Sequence, residues 1–155
     1  MGFYQLETSQ KIAATIDEVW DFISSPANRK KITPDYMGFN ITSKLLSEKM
    51  YPRMIISYKV SPVLGIKMTW VTEITHVTEK EYFVDEQRLG PYSMWHHKHK
   101  IESIEGGILM TDIVSYKPPF GILGSILNTF FIKKKLNEIF KYRTFVLESI
   151  FGKLN

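Results

Sequence analysis

Residues 39–117 fall into six segments in which apolar and polar side chains alternate, at 39–45, 50–60, 66–77, 81–89, 94–104 and 108–117. Short turns join them, among them Leu64-Gly65, Leu89-Gly90-Pro91 and Glu105-Gly106-Gly107. A parallel pair needs a crossover of about a dozen residues or more, so these strands must pair antiparallel. The two-residue period also assigns faces. Lys67, Glu73, Glu86, Arg88, Lys98 and Lys100 mark the outer one. The inner one then carries Met68, Trp70, Ile74, Phe83, Asp85, Gln87, Trp95, His97, His99, Met110, Asp112, Val114 and Tyr116, joined by Met54, Ile56, Tyr58 and Val60.

The flanks complete the pattern. Residues 3–12 alternate loosely and read as a first strand. Thr15 and Glu18 form a capping box ahead of Val19, Trp20, Phe22 and Ile23, which predicts a helix to Ser24 that stops before Pro26. A second short helix is expected over 27–32, ending at Thr33-Pro34. After the sheet, residues 118–155 read as a long helix launched from Pro118-Pro119-Phe120-Gly121. Ile132, Leu136, Ile139, Arg143, Val146 and Ile150 recur on one side, with Lys134, Glu138, Lys141 and Glu148 opposite. The upstream stripe of Ile122, Leu123, Ile126, Leu127, Phe130 and Phe131 points about half a turn away, by the roughly 100° per residue rule. The helix should therefore bend, break or change neighbour within 131–134. The fold class is α+β, a seven-stranded antiparallel curved sheet around one C-terminal helix, and space left between them can hold a ligand.

Composition narrows the function. A 155-residue chain that is 44% hydrophobic and 14% aromatic can enclose a core, and without repeats or linkers 1–155 reads as one domain. The absence of cysteine excludes a thiolate nucleophile, a disulfide framework and a Cys metal site. The net charge of +4 is mild. Its two clusters, Arg29-Lys30-Lys31 and Lys133-Lys134-Lys135, read as solvated faces, and no nucleic-acid motif accompanies them. The N-terminus lacks a signal-peptide pattern, Leu6 stands where a myristoylation signal wants Ser or Thr, and lysines interrupt the one long apolar run. A cytoplasmic, soluble protein is expected.

Polar residues on the inward parity are the informative feature. Asp85, Gln87, His97, His99 and Asp112 lie there, and Arg143 lies on the apolar stripe of the last helix. Buried polar groups must satisfy one another or face a ligand, so Arg143 should pair with Asp85 or Asp112. The arrangement is either a structural salt-bridge network or the polar end of a greasy pocket. His97 and His99, with His96 beside them, could chelate a metal, with Asp112 or Asp85 as a third ligand, but no further His or Cys supplies one; no metal or cofactor is expected. Alternatively His97 or His99 acts as a base with Asp112 as its partner. The aromatic and Met residues read first as core, and together they suit a deformable pocket.

The stretch Asp85-Glu86-Gln87-Arg88-Leu89-Gly90-Pro91-Tyr92-Ser93-Met94-Trp95-His96-His97-Lys98-His99, with Gly107-Ile108-Leu109-Met110-Thr111-Asp112 and Pro119-Phe120-Gly121-Ile122-Leu123-Gly124, resembles a bacterial branch of the START-related, or SRPBCC, superfamily. That superfamily includes the birch pollen allergen, polyketide cyclase/dehydrases and coenzyme Q-binding proteins. The resemblance covers essentially the whole chain and implies a helix-grip fold with a deep pocket for an apolar molecule. It implies no particular reaction.

The leading expectation is a protein that binds or carries a small hydrophobic molecule: lipid, quinone or polyketide-like. Trp70, Phe83, Trp95, Met110 and Tyr116 line the pocket, and Asp85, Gln87, His97, His99, Asp112 and Arg143 orient the ligand. One alternative is a cyclase/dehydratase-type enzyme using His97, His99 and Asp112. Another is an interaction module in which residues 118–131 form an apolar mouth that gates access, touches a membrane surface transiently or meets another protein. Monomer and dimer both remain open.

Overall fold

In the computed structural model, which describes residues 2–62 and 65–154, alternation decides the sheet and one helix closes it. In chain order there is β1 (Tyr4–Ile12), α1 (Ile16–Ile23), a 3-10 helix (Pro26–Ile32), a 3-10 turn (Asp35–Met37) and β2 (Asn40–Ile41). Then come β3 (Met54–Val60), β4 (Met68–Thr78), β5 (Tyr82–Leu89), β6 (Met94–Ile104) and β7 (Gly107–Lys117). The chain ends in α2 (Gly121–Leu127), a π-helical turn (Asn128–Ile132) and α3 (Lys133–Phe151). The sheet order is β1-β7-β6-β5-β4-β3-β2, and every pair is antiparallel. Leu64 of the expected Leu64-Gly65 turn lies outside the described residues.

The local signals act as their chemistry requires. Thr15 accepts from the Glu18 amide while the Glu18 carboxylate accepts from the Thr15 amide, so the capping box starts α1 as expected. The inward residues of β3 to β7 pack with α1 and Leu147 into one core, while Leu136 and Phe140 of α3 meet Val114 and Tyr116 in a second cluster. The far end of α3 is tied back to β1, where the Ala13 amide donates to the Gly152 carbonyl at 3.2 Å. No helix among the described residues is long and apolar enough to cross a membrane.

Three elements depart from the periodic reading. The strand expected over 39–45 keeps ladder pairing only at Asn40–Ile41, because Thr42 and Ser43 both donate to the Ser57 carbonyl and the Ser43 hydroxyl takes the Ser57 amide. Local bonds to Ser57 thus replace the ladder. The strand expected over 50–60 begins only at Met54, since the Met50 amide is drawn to the Ser24 carbonyl and Arg53 sits at φ 72. On the last helix the buried line is Leu136, Phe140 and Leu147, whereas Ile150 is exposed. The half-turn offset arises because the upstream stripe of Ile122, Leu123, Ile126, Phe130 and Phe131 faces outward while Gly124 and Asn128 are buried, and a π-turn overlapping the expected break at 131–134 joins the two segments.

Candidate functional site

Three adjacent strands bring four polar side chains to one point. Asp85 on β5 stands opposite His97 on β6, and His99 on β6 stands opposite Asp112 on β7. The short contacts run diagonally: His99 Nε2 lies 2.7 Å from Asp85 Oδ2 and His97 Nε2 lies 2.8 Å from Asp112 Oδ1. Two arginines close the ends. Arg29 donates to Asp85 at 2.6 Å, and Arg143 on α3 donates to Asp112 at 2.8 Å. Two guanidiniums therefore face two carboxylates around two imidazoles in tilted contact, with ring centroids 3.7 Å apart, and all six side chains are at least nearly buried.

This arrangement sets the charge states. Burial alone would raise the Asp85 carboxyl, but the Arg29 guanidinium, the His99 hydrogen bond and the field of the two imidazoles together hold it far below its ordinary range. Asp112 is held down likewise, against burial, by the Arg143 guanidinium, by the His97 hydrogen bond and by the close approach of the His99 ring. His97 is lowered to about 4, first by burial and then by its neighbour His99, against the raising pull of Asp112. At neutral pH it is an uncharged ring whose Nε2–H donates to Asp112. His99 Nδ1 is 2.9 Å from Asp112 Oδ1 yet out of line for a hydrogen bond, and so is a buried nitrogen with no aligned partner.

Beside the network lies a cavity of about 130 Å³ between the sheet and α3. Ile32, Met37, Phe39, Tyr58, Val60, Trp70, Tyr92, Trp95, Leu136, Ile139 and Phe140 give it apolar walls, and Arg29, Asp85, His97, His99 and Arg143 form its polar end. The Tyr58 hydroxyl, 3.1 Å from Thr72 Oγ1, is pushed up to about 12, chiefly by burial. Trp70 is a wall residue whose indole N–H is buried with no acceptor among the described residues.

Of the eleven side chains expected at the site, Trp70, Asp85, Trp95, His97, His99 and Arg143 reach the cavity. Five do not, each for a visible reason. Phe83 stacks beneath His99 at 4.1 Å; Met110 is sealed in the core; Asp112 sits behind the His97 ring. The Tyr116 hydroxyl is directed to Asn128 at 2.8 Å. Gln87 clamps the β5–β6 turn, its amide donating to the Tyr92 carbonyl and its Oε1 accepting the Tyr92 amide. His96 faces outward to Glu86. Arg143 pairs with Asp112, one of its two expected partners.

Arg29 belongs to a sequence cluster that reads as a solvated basic face, but its side chain is largely buried against Asp85, while Lys30 and Lys31 are exposed. A period of three carries the signal: a 3-10 helix eclipses residues i and i+3, which aligns Arg29 with the buried Pro26 and Ile32.

The charges around the two imidazoles bear on metal binding and on base chemistry alike. Asp85, His97 and His99 offer ligand atoms within 4.8 Å of one another, close enough for a metal ion. Yet Arg29 already occupies Asp85 Oδ2 and Arg143 stands behind Asp112, so a divalent cation would meet two fixed positive charges. A base works best with a pKa near the working pH, and His97 at about 4 is weakly basic for neutral conditions.

No protein-family model matches the sequence, and no curated protein is similar to it. The likeness is to solved structures. TTHA0849 from Thermus thermophilus superposes with a TM-score of 0.69 at 14% identity over 94% of this chain and 95% of its own. The ginseng major latex-like protein 151 from Panax ginseng gives 0.67 at 12% identity over 96% and 97%. Ara h 8.0201 gives 0.62 at 15% identity over 96% and 99%. These likenesses establish the fold alone: the helix-grip architecture, a seven-stranded antiparallel sheet closed by a C-terminal helix.

Proposed function

We propose that this chain binds a small, mainly apolar molecule carrying a hydrogen-bond acceptor, in the cavity between the sheet and α3. The observation that carries the reading is the combination of apolar walls with the unsatisfied indole N–H of Trp70. A buried donor without a partner costs about 1–3 kcal/mol, and a ligand carbonyl or ether met by the indole N–H after a small turn of the Trp70 ring would recover that. A cavity of roughly 150 Å³ accommodates a benzene ring, so the 130 Å³ here suits a ring-sized body. A lipid, quinone or polyketide-like molecule fits only if wall side chains swing aside, and Met37 is the pliable one. Acid-base chemistry at His97 and His99 is the weaker reading, since both rings are committed to carboxylates.

The test uses two probes of similar shape, acetophenone and ethylbenzene, together with native mass spectrometry of freshly purified protein. Acetophenone should raise the melting temperature more than ethylbenzene, and Trp70→Phe should erase the difference while leaving the fold intact. Empty native spectra together with no thermal response to either probe would sink the reading.

A further inference from the structure

We propose that α2 and the π-turn dock on an anionic membrane surface. Phe120, Ile122, Leu123, Ile126, Phe130 and Phe131 are each more than half exposed, with Phe120 at 77% and Ile122 at 78%. A contiguous apolar surface of this kind marks a contact site rather than ordinary surface. Phe120 also holds φ 65, a left-handed conformation that aromatic residues avoid, and in it the ring is presented to solvent.

Charge chooses the occupant. No acidic residue occurs between Asp112 and Glu138, and Lys133 and Lys134 stand exposed where the apolar stretch ends. Apolar residues capped by lysines match an interfacial helix that buries its side chains at the acyl boundary while its lysines meet anionic headgroups. A second copy would instead bring like charges together, with no carboxylate on the segment to pair them. The groove along Phe130, Phe131 and Lys134 shares Pro62 with the cavity wall, so docking sets the cavity beside the membrane. The docking surface does not depend on what the cavity holds.

Vesicle co-sedimentation tests it, using phosphatidylcholine alone and phosphatidylcholine with a third phosphatidylglycerol. The wild-type chain should sediment with the anionic vesicles and lose most of that binding as salt is raised. The double variant I122D/F130D, altered only at exposed positions, should bind at least tenfold more weakly, and K133E/K134E should lose the preference for phosphatidylglycerol. Both should keep the acetophenone response, which separates this proposal from the cavity reading. Absence of sedimentation with either vesicle, or equal sedimentation of wild type and I122D/F130D, overturns the proposal. So does a wild-type dimer in vesicle-free solution that I122D/F130D dissociates, because a second copy would then cover the face.

Discussion

Arg29 Nη2 donates to Asp85 Oδ2 across 2.6 Å, linking a 3-10 helix near the N-terminus to the middle of the sheet. Both side chains are largely withdrawn from water, so the pair differs in kind from the exposed Lys49–Asp21 contact. Breaking a buried pair by removing one partner leaves an uncompensated charge and costs about 3–5 kcal/mol, whereas a surface pair contributes about 0–1 kcal/mol. Arg29→Met should therefore destabilise the fold by about 3 kcal/mol in urea unfolding, and Lys30→Met, one residue along, should change it by less than about 0.5 kcal/mol. Equal small effects would show that the Arg29 charge is solvated after all.

The acid side of the stability profile follows from His97 and the two carboxylates. The folded pKa of His97, about 4, lies below the ordinary 6.5, so the unfolded chain takes up a proton first as pH falls. Its contribution is complete above pH 6.5 and is lost between 6.5 and 4, about 3 kcal/mol in all. Asp85 and Asp112 are also depressed, so their contribution is present above the ordinary carboxylate range and disappears below it. Unfolding free energy measured between pH 7 and 5 should fall with pH, and His97→Phe should flatten that interval while leaving the steeper loss below pH 4. A wild-type profile flat from pH 7 to 5 would contradict the assignment.

Sheet topology is readable from the chain because strand alternation is a local property: β6 spans its expected residues, and β7 begins one residue before its expected start. The diagonal pairing of His97 with Asp112 is half readable, since parity puts both inward but says nothing about which carboxylate each ring reaches. Arg29 is legible only through the three-residue period it shares with Pro26 and Ile32, because its neighbours Lys30 and Lys31 are solvated, and its partner on a distant strand is not legible. The cavity wall contributed by Tyr92 is hidden too, because a turn residue has no parity; the Gln87 clamp fixes its ring against Trp95 at 4.9 Å. Cavity volume follows from side-chain packing and leaves no mark in periodicity.

Tyr116 and Asn128 tie the π-turn to the sheet through a buried hydrogen bond of 2.8 Å. Removing the hydroxyl with Tyr116→Phe leaves the Asn128 amide oxygen without its donor, and Asn128→Ala strands the hydroxyl; each should cost about 1–3 kcal/mol. The double variant should cost less than the two added together, because neither partner is then left waiting. Hydrogen exchange supplies the second readout: amides of α2 and the π-turn should exchange faster in either single variant while those of β6 keep their protection. Strict additivity would mean that the bond does not hold the helix in place.

Gly90 gives the last prediction because it connects turn chemistry to the cavity. A methyl group added there would lie 2.4 Å from Gln87 Oε1, the atom that accepts the Tyr92 amide at 3.2 Å. Gly90→Ala must push the Gln87 side chain away, and with it go both bonds that clamp the turn. Tyr92 packs 5.7 Å from Trp70 and 4.9 Å from Trp95 and is itself part of the wall, so loosening the turn loosens the cavity. Gly90→Ala and Gln87→Ala should each cost about 1–2 kcal/mol, and each should weaken the thermal response to acetophenone. Combined, they should cost little more than one alone, since both act by releasing Tyr92. If the variants lose stability but respond to acetophenone as the wild type does, the Tyr92 ring is not part of what shapes the binding space.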